Sequence, residues 1–319
     1  MSIIVTGGAG FIGSCIVRAL NESQYEDIII VDNVSTSEKW LNLNGKKYTA
    51  YINKASLWEK IDSLEGVTHV IHMGACSSTT EGDFDYLWEN NVEFSKRLFD
   101  YCVKQGASFI YASSAATYGG GERGFSDRSI DGLFPLNRYG YSKHVFDLWV
   151  EKQETKPRQC VGLKFFNVYG PNEYHKAGMF SMVYQGYWQI AKMGQIKLFK
   201  SNVAGIDHGE QKRDFLYVKD ICSLVLWLIK NEGVSGLFNV GTGVARSFND
   251  LARAIFSALD KEPKITYIDM PAGLEKQYQY YTEASIEKLR EAGYSKSFYS
   301  LEDGVKDYVK NYLTGEARY

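Results

Sequence analysis

No apolar run in this 319-residue chain reaches the roughly 18 residues needed to cross a bilayer. The first residues, Met1-Ser2-Ile3-Ile4-Val5-Thr6, lack the basic segment of a secretory leader and run straight into a structural motif. A cytoplasmic protein with no membrane partner is therefore expected. Excess charge is missing as well. Lys and Arg number 36 against 38 Asp and Glu, a formal net charge of −2, which removes the electrostatic argument for nucleic acid or an anionic surface as partner. Cysteine is sparse and odd in number: Cys15, Cys76, Cys102, Cys160 and Cys222 are scattered, with no Cys-x-x-Cys pair. They read as small apolar side chains in a reducing compartment, not as bridges or ligands. The five histidines form no His-x-x-x-His pair, so no metal site is expected. Internal repeats, low-complexity tracts, charged tails and obvious linkers are also wanting, which argues for segments packed tightly on one another.

What is present is ample core material, with hydrophobic residues at 45% and charged residues at 23%. The length suits one large domain or two intimate ones. In the first half, short β-branched runs alternate with helical stretches, the pattern of a parallel sheet wrapped by helices. Strands are expected at residues 2–6, 28–31, 67–72, 108–112 and 161–165, with helices at 10–20 and 90–105 between them. Beyond about residue 170 the pattern becomes irregular and glycine-bearing, until a strand at 237–240 precedes a helix at 248–259. The expected fold is α/β: a Rossmann-like doubly wound parallel sheet with a smaller α/β substrate-binding domain. The division is drawn at 1–168 for the cofactor domain, which also receives segments near 214–242, and at 169–213 with 243–319 for the second.

Thr6-Gly7-Gly8-Ala9-Gly10-Phe11-Ile12-Gly13 follows the first strand and opens a helix. Gly7 permits a tight turn, Gly10 lets the backbone approach a pyrophosphate, and Gly13 allows helix and strand to pack closely. A glycine triplet alone is weak; the strand–turn–helix context, and Asp32 at the end of the second strand to accept from ribose hydroxyls, make it a dinucleotide site. Asp32 by itself favours NAD, because a 2′-phosphate beside a carboxylate costs free energy. Asn33, Lys39 and Lys54 lie close enough downstream to reach such a phosphate, so the residues leave NAD and NADP open.

Tyr139 and Lys143 stand at i, i+4, one turn apart on one helix face, whereas Tyr141 points away and reads as structural. The lysine can hydrogen-bond a nicotinamide ribose and lower the tyrosine pKa. A phenol near ~10 needs a shift of ~3 units, roughly 4 kcal/mol, to act as a base at neutral pH. Ser114 closes the strand Phe109-Ile110-Tyr111-Ala112, at the sheet edge where open α/β proteins bind ligands, and can share a substrate hydroxyl with Tyr139.

Glycine loop, strand-end serine and Tyr-x-x-x-Lys, in that order, resemble the extended short-chain dehydrogenase/reductase superfamily over essentially the whole chain. Within it, several stretches are similar to the branch that epimerises ADP-linked heptoses at C6″. They are 74–81 (Gly-Ala-Cys-Ser-Ser-Thr-Thr-Glu), 112–119 (Ala-Ser-Ser-Ala-Ala-Thr-Tyr-Gly) and 166–176 (Phe-Asn-Val-Tyr-Gly-Pro-Asn-Glu-Tyr-His-Lys). Residues 213–218 and 238–243 match too, though wider relatives share these. The resemblance implies that Lys176 is a second acid/base facing Tyr139; without it, Lys176 reads as a phosphate contact or a solvated charge. It further implies NADP as the usual cofactor, one tightly held per subunit, and self-association into a homo-oligomer. The implied reaction is transient oxidation of ADP-D-glycero-β-D-manno-heptose to a 6″-ketone, with hydride return to the other face, serving lipopolysaccharide synthesis.

By the same resemblance Gly7, Gly10, Phe11, Ile12, Gly13, Asp32, Asn33, Lys39, Lys54, Met73, Gly74, Ala75, Cys76, Ser77, Asn90, Tyr139, Lys143, Val168 and Lys176 match cofactor positions. Asn167, Gly178, Gln185, Phe199, Lys200, Ser201, Arg213 and Tyr278 fall where the branch contacts substrate, and the Arg213 guanidinium suits a diphosphate. Gly178 and Gln185 depart from the serine and histidine of the branch, and the loop after Phe199 looks altered and longer. A 4,6-dehydratase needs an acid/base pair beside the strand-end hydroxyl, where this chain has Ala115 and Ala116, which cannot transfer protons. A hexose 4-epimerase uses the same tyrosine and is the alternative enzyme. A dinucleotide sensor without catalysis is the alternative of another class, one that typically loses the tyrosine or lysine kept here.

Overall fold

The computed structural model describes residues 1–176, 178–271 and 278–319, so Ala177 and residues 272–277, which the expected second domain spans, lie outside it. Twelve short strands are found among the described residues: β1 Ser2–Thr6, β2 Ile28–Asp32, β3 Ala50–Asn53, β4 Val67–His72, β5 Ser108–Ser114, β6 Cys160–Phe165, β7 Asn167–Tyr169, β8 Ile196–Phe199, β9 Lys212–Tyr217, β10 Gly236–Val240, β11 Ala245–Ser247 and β12 Ile265–Ile268. Seven of them form one sheet in the order β10-β6-β5-β4-β1-β2-β3. Every neighbouring pair in it is parallel. The fold class is the α/β Rossmann-like one.

The strand order reverses at β1. From there the chain steps outward to β2 and β3 on one side and to β4, β5 and β6 on the other. Thr6 pairs with Val31 on one neighbour and with His72 on the other, so the carboxyl ends of β1, β2 and β4 finish level. That crevice is where open α/β sheets bind ligands.

Both sheet faces are covered, which is why the strands read as continuous apolar runs. Ile3 and Val5 of β1 enter a core with α1 (Phe11–Glu22), while Ile4 enters the opposite core with α2 (84–105). The helix α2 consists of the contiguous segments Phe84–Leu87, Trp88–Glu93 and Phe94–Gln105, the middle one a π turn. It therefore starts six residues earlier than the expected 90. The cause is local: the Asp83 carboxylate accepts from the Tyr86 N–H and caps a first turn that carries no strong apolar period.

Further helices are α3 Arg138–Glu151, α4 Met182–Met193, α5 Val218–Lys230, α6 Phe248–Ala258 and α7 Leu301–Tyr308. Residues 218–240 return to the large sheet: α5 packs against α1, and β10 pairs with β6. The irregular stretch beyond 170 also holds strands that periodicity does not reveal. β9 joins β7 in parallel and β11 in antiparallel fashion, and β8 pairs with β12. Each is three to six residues long, too short for an alternation to stand out. No helix among the described residues is long and apolar enough to cross a membrane.

Candidate active site

Two cavities meet at the carboxyl ends of the large sheet. One, of about 550 Å³, is lined by Gly7, Gly10, Phe11, Ile12, Gly13, Asp32, Asn33, Lys39, Lys54, Met73, Gly74, Ala75, Cys76, Ser77, Asn90 and Lys176. Sixteen of the residues expected at the cofactor thus share one space. Its floor is bare backbone. Gly7 has φ of 65°, and a Cβ there would come within 2.8 Å of Gly74. A Cβ on Gly13 would come within 2.1 Å of the Gly7 carbonyl oxygen. The helix α1 begins at Gly10 with no side-chain cap and no acid in its first turn. Its leading N–H groups and positive dipole end are thus left for an anion, and the cradle fits a dinucleotide pyrophosphate.

Asp32 is buried and already engaged: it accepts from the Ala9 N–H at 2.9 Å, from the Asn33 N–H at 2.7 Å, and from the Lys39 ammonium. It fixes the glycine loop as well as offering a carboxylate to a ribose. Lys54 donates to Asn90, and burial pushes its pKa down.

The second cavity, of about 450 Å³, is lined by Ser114, Tyr139, Lys143, Asn167, Val168, Lys176 and Arg213, and it shares Ile12, Met73, Ala75 and Ser77 with the first. Tyr139 sits in the first turn of α3, whose N-cap Asn137 accepts from the Gly140 N–H at 2.8 Å. Gly140 lets the helix close on the turn after β5, since a Cβ there would come within 2.7 Å of the Ala116 carbonyl oxygen. The Ser114 hydroxyl, presented by this contact, bonds to Tyr139 and accepts from the Ala116 N–H at 3.1 Å.

Burial raises the Tyr139 pKa, and the Ser114 hydrogen bond opposes the rise. The expected lowering by Lys143 is not present in the protein alone. The Lys143 ammonium donates to the Ala112 carbonyl at 2.9 Å. Burial pulls Lys143 itself down to about 8, with Asp147 pulling the other way. Tyr141, by contrast, is 47% exposed.

Lys176 lines both cavities, with its ammonium 4.4 Å from the centre of the Phe11 ring. Burial lowers its pKa and the Glu173 carboxylate works against that. Glu173 is wholly buried and accepts from the Ser181 N–H and hydroxyl, both at 2.6 Å, and from the Tyr308 hydroxyl at 3.1 Å.

Arg213 is buried, donates to the Lys212 and Gln279 carbonyls, and packs over the Phe248 and Tyr278 rings. Among the described residues no carboxylate lies in ion-pair range of it. A buried guanidinium held only by carbonyls and rings suits an anionic ligand. Tyr278 meets the Phe199 ring at 6.4 Å. Asn167 lines the cavity with Arg213, and the other four expected substrate residues do not. Gly178 is exposed with open space about its Cα, and Gln185 donates to the Phe180 carbonyl at 2.7 Å. Lys200 pairs with Asp269 at 3.0 Å, and the Ser201 N–H goes to His208.

Several supporting residues carry no local signal in sequence. Asn91, in the π turn, accepts from the Cys76 N–H and donates to the Cys76 carbonyl and to Ser142, whose hydroxyl donates to the Tyr139 carbonyl. Lys164 and Asp147, both wholly enclosed, pair at 2.8 Å; Asp147 also accepts from Ser113, and Lys164 donates to Thr117. Among the described residues no group of three His, Cys, Asp or Glu could hold a metal.

The model of the NAD dependent epimerase/dehydratase family matches residues 3–241. The chain is 50% identical to the ADP-L-glycero-D-manno-heptose-6-epimerase of Fusobacterium nucleatum, covering 99% of each chain. It is 52% identical to the enzyme of that name from Nitratidesulfovibrio vulgaris, covering 97% of each. The crystal structure of Helicobacter pylori ADP-L-glycero-D-manno-heptose-6-epimerase superposes with a TM-score of 0.82 at 30% identity, over 97% of this chain and 95% of that one.

Proposed function

Because this chain belongs to the NAD dependent epimerase/dehydratase family, we propose that it interconverts the two C6″ epimers of ADP-glycero-β-D-manno-heptose. The observation that carries this reading is a second ionisable group, Lys176, in the same cavity as Tyr139. An epimerase that oxidises and re-reduces one carbon must move a proton at the C6″ oxygen in two geometries. Two acid/bases approaching from different segments serve both without moving the cofactor, the keto sugar turning its other face between the two transfers.

When bound, the nicotinamide ring supplies the hydride acceptor and donor at C6″. Everything else falls to the chain. Tyr139 takes or returns the hydroxyl proton of one epimer, and Lys176 does so for the other. Ser114 holds the sugar oxygen against Tyr139, and Lys143 turns from Ala112 to the nicotinamide ribose, bringing its charge to the phenol. The positive end of α3 adds to that field. Arg213, backed by Tyr278 and Phe199, takes the diphosphate; Asn167 lies at the sugar, while Gln185, Gly178, Lys200 and Ser201 come to the substrate only if their loops close. Val168 borders the nicotinamide. The cofactor of this reading is NADP, with Lys39 turning from Asp32 to the 2′-phosphate and Lys54 beside it. Residues 1–168 with the return near 214–242 form the cofactor half, 169–213 and 243–319 the substrate half, and the chain self-associates.

The test is to incubate the purified protein with ADP-D-glycero-β-D-manno-heptose, add no nicotinamide, and resolve the epimers by NMR. Conversion toward an equilibrium mixture is expected. No conversion after NADP and then NAD are added, with turnover of a UDP-hexose instead, would replace this reading by a hexose 4-epimerase.

A further inference from the structure

The loop that carries Lys176 is fastened from two sides, and only one is the substrate side. That one is Glu173, held by Ser181 and Tyr308. The other runs to the cofactor side through Asn42, a wholly buried residue in the helical turn Glu38–Leu43 that also bears Lys39. The Asn42 amide donates to the Ala9 carbonyl at 3.0 Å and to the Asn172 carbonyl at 3.1 Å, and its oxygen accepts from Arg318 at 2.6 Å. Its nitrogen also lies 3.4 Å from His175 Nδ1. Asn172 is wholly buried at a left-handed φ of 72°. Its side chain donates to the Ser14 hydroxyl at 2.9 Å and to the Tyr319 carbonyl at 2.8 Å, and accepts from the Tyr319 N–H at 3.0 Å.

One buried amide therefore joins three segments: the dinucleotide loop at Ala9, the turn leading to Lys176, and residues 318–319. Buried amides are costly unless each group is matched. Here the partners are the backbone carbonyls of Ala9 and Asn172 and the Arg318 guanidinium, so the amide holds the relative position of segments that must meet at the site.

We propose that Asn42 is a positioning residue for Lys176, setting its place over Phe11 from the cofactor side. This rests on the reading of Lys176 as the second acid/base. Asn42 then acts on the half-reaction that Lys176 serves and spares the one that Tyr139 serves.

The experiment follows single-turnover oxidation of each C6″ epimer by cofactor-loaded enzyme, through reduced-nicotinamide absorbance, in Asn42→Ala, Lys176→Met and the double variant. Asn42→Ala is expected to slow the Lys176-dependent half-reaction by about 10- to 100-fold, the size of loss that follows a misplacement near 1 Å. The other half-reaction should stay within about twofold. In the Lys176→Met background Asn42→Ala should add no more than about twofold, because the two changes remove one effect. In the cofactor-free protein, carbon-labelled reductive methylation followed by NMR titration should show Lys176 moving up toward ordinary lysine behaviour when Asn42 is replaced. Should Asn42→Ala not fold, the isosteric Asn42→Asp keeps the oxygen for Arg318, loses both N–H donors, and is read in the same way. Equal loss in both half-reactions, or a full additional loss on top of Lys176→Met, or an unmoved Lys176 titration, overturns the proposal and leaves Lys176 its role. If Lys176→Met leaves both half-reactions intact, the reading of Lys176 falls first and the role of Asn42 with it.

Discussion

The two flanks of the cavity that Tyr139 and Lys176 line are built by different means. Tyr139 stands on a regular helix, capped by Asn137 and drawn onto the Ser114 turn through Gly140. Lys176 stands on an irregular loop whose shape comes from side chains: Glu173 on one side, Asn42 and Asn172 on the other. A helix positions a side chain by its own hydrogen bonds; a loop borrows that precision from distant partners. The first flank should therefore lose chemistry without losing stability when its functional group is removed. The second should lose both when its supports are removed.

The largest effect is expected at the phenol. Tyr139→Phe removes one hydroxyl and no packing, so turnover should fall by about 10²–10⁴-fold with the melting temperature nearly unchanged. A melting shift comparable to that of a core substitution would break the contrast. Next comes Glu173→Gln, which replaces an acceptor of four hydrogen bonds, from the Gly170 N–H, the Ser181 N–H and hydroxyl and the Tyr308 hydroxyl, by an amide that offers a donor into the same shell. A loss of about 1–3 kcal/mol in denaturant unfolding, together with slower Lys176-dependent chemistry, is expected.

Gly140→Ala sharpens the comparison from the other side. The added Cβ meets the Ala116 carbonyl at 2.7 Å, so α3 must back away from the Ser114 turn. Here a backbone contact, not a side chain, is the support, and about 1–3 kcal/mol of stability and roughly tenfold in turnover should be lost together.

The smallest effect is a pH dependence at Lys143. Its folded-state value is lowered from 10.5 to about 8 by burial. Below pH 8 the folded protein carries a buried ammonium that the unfolded chain would hold in water, which costs stability. Between pH 8 and 10.5 the amine neutralises in the folded state first and the cost disappears. Cofactor-free Lys143→Met should thus be more stable than the parent near pH 7, by about 1–2 kcal/mol after the lost Ala112 hydrogen bond is counted, with the advantage fading toward pH 10.

The same contrast explains what could be read in the chain. The glycine loop, Asp32, and the Tyr139–Lys143 spacing are local patterns imposed by one strand, one turn and one helix, so sequence distance reports spatial distance. Lys176 has no such pattern around it, and only family resemblance pointed to it. Asn42, Asn91, Asp147 and Lys164 were not legible at all, because what makes them matter is a partner 15 to 276 positions away, as for Asn91 with Cys76 and Asn42 with Arg318. The short strands β7 to β9 escaped for a related reason: their partners, not their own periodicity, make them strands. Of the residues that resemblance assigned to the substrate, Arg213 lies over Tyr278 and Tyr278 meets Phe199, whereas Gly178 and Gln185, where this chain departs from the branch, stand apart from the cavity.

The most direct test of two acid/bases with one epimer each is single-turnover oxidation of both C6″ epimers by Tyr139→Phe and Lys176→Met. A crossed pattern is predicted, each variant failing on the epimer that the other still oxidises. One variant failing on both epimers while the other spares both would contradict it, and would return all proton transfer to a single residue.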